Sequence, residues 1–288
     1  MRALSKDSQQ ITTITPRKKF FELNFIETLR YKDLIGLFVK NSFKTRYKQM
    51  LLGPLWAVIQ PLLTTIVFTV VFGNIAGLPT DGAPKFMFYM CGNVLWNYFS
   101  STLTGASGSF SSNAYLFSKV YFPRLVAPLA NVLGNMINSG IQVVIFFGFL
   151  LFYIIRGDIT PDYALLWLAP LLVIQATLLA SGIGLLLASV TVKYRDLTML
   201  ISFGVQLWLY ATPIAYASSL VKEKLPGFFT LYMLNPMASI VEAMRKIFLG
   251  TGSISVKYLL ISFAISFVLF LLGVAAFNRA EKTFTDKI

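Results

Sequence analysis

The sequence predicts an all-α integral membrane protein, and three observations lead to this fold class. Of the 288 residues, 56% are hydrophobic and only 13% are charged, whereas soluble domains carry about a quarter charged residues. Six long stretches contain no Asp, Glu, Lys or Arg, and each is long enough for one helical crossing, which takes about 20 residues. Their apolar residues do not alternate in period two, so helices are predicted instead of barrel strands.

The first fifty residues form the predicted cytoplasmic N-terminal segment. Within residues 31–48, apolar side chains gather on one helical face and lysines on the other, which indicates a helix lying in the membrane interface. A cytoplasmic amphipathic helix packed on protein is the alternative. Pro54 suits the first turn of the following span, and Pro61 is expected to kink that span or leave a carbonyl free.

The charge-free stretches define a six-helix transmembrane domain over residues 51–277. Residues 217–255 are too apolar for a free loop, so we predict an outer-face gate hairpin within this domain. Residues 278–288 form the predicted cytoplasmic tail. The predicted spans cover about residues 51–73, 86–110, 125–155, 163–191, 197–216 and 257–277.

The basic residues predict the orientation of the chain. Six spans place both termini on one side, and eleven of the 25 Lys and Arg lie in residues 1–50. Seven more lie in the tail and in the two connections on the same side, which leaves seven for the other side. The positive-inside rule therefore places both termini in the cytoplasm. The basic residues flank spans and form no separate basic domain, which argues against nucleic-acid binding.

The predicted gate hairpin carries a helix-start signal and a charged pair. Asn235 and Pro236 fit the N-cap and the first position of a helix. Glu242 precedes Arg245 and Lys246 by three and four residues, a spacing typical of pairing on a helix surface. We therefore expect a re-entrant or interfacial hairpin of two short helices, with Asn235, Pro236, Glu242 and Arg245 as candidate outer-gate residues.

The spans lack the groups that ion coupling or catalysis requires. The chain has no histidine, and none of the predicted spans contains a carboxylate, so coupling to a proton gradient is not expected. No GxxxxGK[S/T] loop is present for nucleotide phosphates. We predict no catalytic residues, no metal site and no cofactor in this chain, so any ATP-driven work needs another polypeptide. A membrane glycosyltransferase or acyltransferase is the alternative from a different class.

The third span carries an amide stripe, which we define as Asn131, Asn135, Asn138 and Gln142. Steps of four, three and four place these side chains on one helix face. Hydrogen bonding between helices is the simple interpretation, and a polar substrate path is the alternative. An uncharged lining of amides and aromatic rings would suit sugars.

The predicted spans also contain two deep tryptophans and two repeats of small residues. Trp96 and Trp208 lie deep in their spans, where either core packing or contact with substrate would explain them. Small residues at positions 101, 105 and 109, and at 176, 180, 184 and 188, recur every fourth residue. This pattern predicts close packing between helices.

Two short cytoplasmic connections are candidates for contact with another protein. In the first, the apolar residues Tyr115, Leu116 and Phe117 are followed by Lys119 and by Pro123 as a stop. This pattern fits a helix of one to two turns seated in a cleft of a partner.

The second connection places Tyr194, Arg195 and Asp196 at the end of the fourth span. A pair of interfacial charges that only fixes topology is one interpretation of this connection. An ordered turn that relays motion is the other.

Five stretches form a recognisable series along the chain: RYKQMLLGPLWAVIQPLL (46–63), YRDL (194–197), ATPIAY (211–216), LNPMASIVEAMR (234–245) and FNRAEKTFTDKI (277–288). In this order and spacing, they resemble the permease subunits of type-2 ABC exporters for polysaccharides, which include O-antigen, capsule and teichoic acid exporters.

The resemblance runs from about Tyr31 to the C-terminus. It implies an inner-membrane homodimer of six-span subunits bound to two copies of an ATPase subunit that holds ATP and Mg. It further implies gate helices between spans five and six, a channel at the dimer interface and an ordered turn at Arg195 and Asp196 near the ATPase. The implied substrate is a lipid-linked polysaccharide, with O-antigen first and teichoic acid or capsule as alternatives.

Overall fold

The computed structural model describes residues 28, 30–48, 51–120, 122–191, 194 and 196–285. The predictions made for residues 1–27, Arg195 and residues 286–288 therefore lie outside the described residues. Throughout the described part, all regular secondary structure is helical.

Eleven helices are described, with 3-10 turns before the second and the sixth (Gly53–Leu55 and Tyr163–Leu165). They are α1 (Lys32–Tyr47), α2 (Trp56–Phe68), α3 (Lys85–Ser107), α4 (Ser109–Lys119), α5 (Val126–Ile155), α6 (Leu168–Thr191), α7 (Leu197–Tyr210), α8 (Ser218–Lys224), α9 (Pro226–Met233), α10 (Pro236–Leu249) and α11 (Val256–Thr285).

Four of the described helical segments are long and apolar enough to cross a membrane. They are α2 with its continuation to Ile75, α5, α6 and the first 25 residues of α11. The chain is therefore an integral membrane protein. Helices α3, with 23 residues, and α7, with 14, occupy the second and fifth predicted spans. α3 is largely buried among its neighbours, and its polar residues give it a weaker apolar signal.

The bundle is built around α3 and α6, and small residues set its closest contacts. A Cβ on Gly184 would lie 2.8 Å from the Leu103 carbonyl of α3, and a Cβ on Gly182 would lie 2.6 Å from Cα of Phe270 in α11. Ala176 and Ala180 are fully buried. The predicted small-residue packing of the fourth span is therefore confirmed.

The first span is irregular beyond its proline. Pro61 lies inside α2, and Thr65 Oγ1 donates to its carbonyl at 2.8 Å. The helix then widens into a π-helical stretch over Thr69–Ile75. A Cβ on Gly73, within that stretch, would lie 3.1 Å from the Lys85 side chain. The departure from α-helix thus falls where the span meets the start of α3, and not at Pro61.

One local prediction needs correction. The helix predicted for the first cytoplasmic connection is longer than one to two turns, because α4 begins at Ser109, directly after α3, and has 11 residues. Two short helices were predicted within residues 225–250, and α9 and α10 lie there, with the further short helix α8 just before them. The break between α8 and α9 falls at Leu225, which precedes Pro226 and leaves helical geometry.

Candidate functional site

The amide stripe divides into two parts. In its first part, Asn135 Nδ2 donates to the Ser101 carbonyl of α3 at 3.0 Å and to Asn131 Oδ1 at 2.8 Å. Gly105 of α3 makes room for the Asn131 side chain, because a Cβ there would collide with that amide. Asn131 and Asn135 therefore form interhelical packing, as the simple interpretation expected.

The second part of the stripe faces a cavity of about 380 Å³ that is lined by α1, α2, α3 and α5 and is partly open to the outside. Tyr47 at the end of α1 donates its hydroxyl hydrogen to Asn138 Oδ1, and Asn97 Nδ2 lies 3.5 Å from Gln142 Oε1. We call this space the amide cavity. Its polar lining consists of Tyr47, Gln60, Asn97, Ser101, Asn138 and Gln142.

The two deep tryptophans lie elsewhere. Trp96 is 4% exposed and packs on Trp208, with ring centroids 6.4 Å apart, and both rings contact Phe99. The indole Nε1 of Trp208 donates to Asn235 Oδ1 at 3.1 Å. Trp208 is thus joined to the predicted gate residues. It also lines a groove together with Phe228, Tyr232 and Asn235. Trp96 is a core residue that lines neither this groove nor the amide cavity.

Asn235 caps α10 and ties it to the end of α7. Its Oδ1 accepts from the Met237 backbone N–H at 3.1 Å, as the predicted N-cap requires. Its Nδ2 donates to the Ala211 carbonyl and to Thr212 Oγ1, each at 3.0 Å. Pro236 occupies the first turn, where its missing N–H costs nothing.

Glu242 and Arg245 form an ion pair in the interior, so the prediction of a surface pair was wrong. Their side chains are 4% and 1% exposed, and Arg245 Nη1 lies 3.4 Å from Glu242 Oε1. Arg245 Nη2 donates to the Ile214 carbonyl at 3.2 Å, and the guanidinium carbon lies 3.5 Å from the Phe88 ring centroid. α10 is buried along nearly its whole length, because α11, α3 and α6 pack against it. α3 and the residues after α7 cover the face that carries Arg245.

The first of the two predicted cytoplasmic connections has one exposed face and one anchored face. Tyr115 and Leu116 are 69% and 40% exposed, and Lys119 Nζ donates to the Tyr115 hydroxyl at 2.6 Å. Phe117 points the opposite way, with its ring 5.4 Å from Phe122 and 5.6 Å from the Arg124 guanidinium. Of the four predicted coupling residues in this connection, Phe117 is therefore an anchor and the other three form an outward face.

The second connection is described only in part. Tyr194 is 49% exposed, and Asp196 is exposed immediately before α7 without capping it through its side chain. The expected bonding of Arg195 lies outside the described residues.

Sequence reasoning missed Tyr47, Gln60 and Asn97 as cavity residues and Phe88 as the ring facing Arg245. Asn97 and Ser101 lie four residues apart on α3, a spacing that could have indicated a polar face opposite the amide stripe. Tyr47 and Phe88 carry no such signal, because their roles depend on tertiary contacts. In the described part of the chain, no three His, Cys, Asp or Glu residues lie close enough to hold a metal ion.

Comparisons with known proteins give consistent matches along the chain. Residues 33–249 match the family described as ABC-2 type transporter. The chain is 30% identical to the O-antigen export system permease protein RfbA of Klebsiella pneumoniae, over 88% of this chain and 94% of the relative. It is 27% identical to RfbA of Myxococcus xanthus, over 91% and 98%. It is also 27% identical to the capsule polysaccharide export inner-membrane protein CtrC of Neisseria meningitidis, over 92% and 98%.

Proposed function

The chain belongs to the ABC-2 type transporter family, and on this premise we propose that it is the permease subunit of an exporter that carries lipid-linked O-antigen polysaccharide across the inner membrane. The observation that carries the proposal is the match, over nearly the full length of both chains, to relatives named O-antigen export permeases. The capsule export relative makes capsular polysaccharide the second candidate. Teichoic acid remains a third candidate, and family membership leaves the glycosyltransferase alternative without support.

The energy would come from a separate ATPase that binds ATP and Mg. Two ATPase subunits would assemble with a homodimer of this chain, and the outward face of α4 is the proposed contact. Exposed apolar side chains beside a lysine suit a cleft on another protein, and the Phe117 anchor would keep α4 from yielding when that protein moves. The turn at Tyr194, Arg195 and Asp196 is the second proposed contact.

A strain that lacks this chain is expected to accumulate its glycan in the cytoplasm, and the wild-type gene should restore glycan to the cell surface.

Tyr115→Ala with Leu116→Ala should leave the permease inserted, because both side chains are exposed. Export should fall about tenfold or more, since well-packed interface residues contribute about 1–2 kcal/mol each. Surface glycan is measured with an antibody or lectin, and ATPase binding by co-purification.

The matched control is Ser202→Ala, a small change on an exposed face of α7, which should export normally. Surface glycan that persists in the deletion strain would refute the proposed function. Wild-type export by the double variant would refute only the role of α4. The glycan that accumulates also decides between O-antigen, capsule and teichoic acid.

We further propose six crossings, with both termini in the cytoplasm and α8 to α10 as the outer gate. In a Cys91→Ser background, a thiol placed at Glu223 should react with an impermeant maleimide added to intact spheroplasts. A thiol placed at Asp196 should react only after the membrane is opened, because the positive-inside rule puts that connection in the cytoplasm. Labelling at Asp196 in intact spheroplasts would contradict this topology.

A further inference from the structure

The described lining of the amide cavity is polar and uncharged. Four amides, one phenol and one hydroxyl supply its polar groups, and among the residues that the structure describes neither a carboxylate nor a basic side chain lines it. A buried charge without a partner is strongly disfavoured, whereas an uncharged ligand with many hydroxyls can meet these groups one by one. The chemistry of the lining therefore favours a neutral polyhydroxyl group.

The cavity has unused hydrogen-bonding capacity. Within the described residues, no protein hydrogen bond reaches Asn138 Nδ2 or Gln142 Nε2, although Gln142 is only 7% exposed. The Asn97–Gln142 contact, at 3.5 Å, is at the limit of a hydrogen bond. Polar groups at membrane depth need partners, so these donors are available to a ligand or to water.

The size of the cavity fits more than a few bridging waters. Its volume of about 380 Å³ would hold about a dozen waters at the volume each occupies in the liquid. It also falls within the range of small-molecule sites. The Trp56 ring adds an aromatic wall to the amides, a combination suited to a sugar ring with apolar faces and a polar rim.

The position of the cavity indicates what could reach it. Tyr47 ends α1 and Trp56 begins α2, so the cavity lies beside the junction between the amphipathic helix and the first span. Lys44 and Lys48 are exposed within one turn of Tyr47. A lipid phosphate in the cytoplasmic leaflet could pair with these lysines while its first sugar enters the cavity.

We propose that the amide cavity binds one sugar ring of a lipid-linked glycan, next to its lipid phosphate, within a single permease subunit. The identity of that glycan as the exported substrate rests on the proposed function. Tyr47, Gln60, Asn97, Asn138 and Gln142 supply hydrogen bonds to the hydroxyls, and Trp56 covers one face of the ring. The described lining of the site comes from helices of one chain.

The test uses the full permease–ATPase complex in nanodiscs without sugar lipids, purified in a detergent without a sugar headgroup. Ser101→Cys in a Cys91→Ser background places one thiol in the cavity, and N-ethylmaleimide measures its reactivity. The probes are methyl glycosides of glucose, galactose, mannose, rhamnose and N-acetylglucosamine. At saturation, at least one glycoside should slow the reaction about tenfold. The control thiol, Glu223→Cys on the exposed α8, should react at an unchanged rate.

Two variants test the lining. Asn138→Leu with Gln142→Leu should raise the half-protecting glycoside concentration about 30-fold, because two hydrogen bonds are lost. Gln60→Leu is the gentler variant, since its side chain makes no hydrogen bond within the described residues, and it should raise that concentration about fivefold. Equal protection in wild-type and variant cavities would overturn the proposal.

The remaining outcomes separate the site from the function. Protection by glycerophosphocholine or glycerophosphoethanolamine but by no glycoside would identify a phospholipid site and overturn the proposal. Absence of any protection would overturn it too, even if the complex exports polysaccharide in cells. Protection by a glycoside without export in cells would support the site and refute the proposed function.

Discussion

Arg245→Met is expected to prevent stable accumulation of the permease. The substitution keeps much of the side-chain volume but leaves the Glu242 carboxylate, 4% exposed, without its cation. Breaking a buried pair on one side costs about 3–5 kcal/mol, a large fraction of the stability of a typical domain. The Ile214 carbonyl also loses its donor, and the Phe88 ring loses its cation. The measurements are the amount of protein in the membrane and the melting temperature by fluorescence-detected size-exclusion chromatography.

Lys246→Met is the matched control for this prediction. Lys246 is the next residue and is only partly buried, and its Nζ donates to the Gly250 carbonyl at 3.2 Å. Its loss should therefore lower the melting temperature only slightly. Glu242→Gln combined with Arg245→Met should regain part of the stability, because the unpaired buried charge is gone. An Arg245→Met protein as stable as the wild type would show that the pair contributes little to the fold.

The Arg245 network connects three segments that the sequence separates. Arg245 on α10 reaches Phe88 on α3 and Ile214 in the segment after α7. Asn235, at the start of the same helix, binds Ala211, Thr212 and Trp208. α10 is thereby fixed at its start and again at Arg245 to the end of α7 and the residues just after it. A movement of α7 would be transmitted to α10 through rigid hydrogen bonds, as an outer gate driven from inside would require.

The sequence predicted the helical class and the small-residue contacts because both depend on local pattern. Long stretches without charged residues identify α5 and α11 as spans. Small residues at every fourth position identify the packing face of α6, where Ala176 and Ala180 are buried. It also identified the Asn235 cap, since an Asn-Pro pair carries its own backbone geometry.

The burial of Arg245 could not be predicted in the same way. A Glu and an Arg three residues apart have the same local spacing on an exposed helix and on a buried one. Only the packing of α3 and the residues after α7 over α10 decides between them. Only part of the amide cavity could be predicted, for a similar reason. The stripe on α5 is visible as a periodic pattern, whereas Tyr47 and Gln60 belong to two other helices, and only the tertiary structure brings them to the cavity.

Gly273→Ala is expected to separate α6 from α11 and to abolish assembly of the bundle. A Cβ at position 273 would collide with the Gly182 carbonyl and lie 3.0 Å from the Gly182 Cα. These are backbone atoms, so no side chain can rotate away and the helices themselves must move. Overpacking costs about 1–3 kcal/mol, and occasionally more, and the many contacts between α6 and α11 would weaken together. The expected result is aggregation on size-exclusion chromatography, or a melting temperature far below that of the wild type.

Gly148→Ala provides the contrast, because Gly148 lies on an exposed face in the interior of α5 and an added Cβ would meet nothing within 4 Å. Alanine is favoured over glycine in a helix by about 1 kcal/mol, so this variant should be at least as stable as the wild type. Gly182→Ala should reproduce the defect of Gly273→Ala, since its Cβ would lie 2.6 Å from the Phe270 backbone. Two stable, monodisperse variants at Gly182 and Gly273 would mean that α6 and α11 do not need this close approach. A defect at both, with Gly148→Ala intact, would identify the Gly182–Gly273 crossing as the contact that holds the last helix against the bundle.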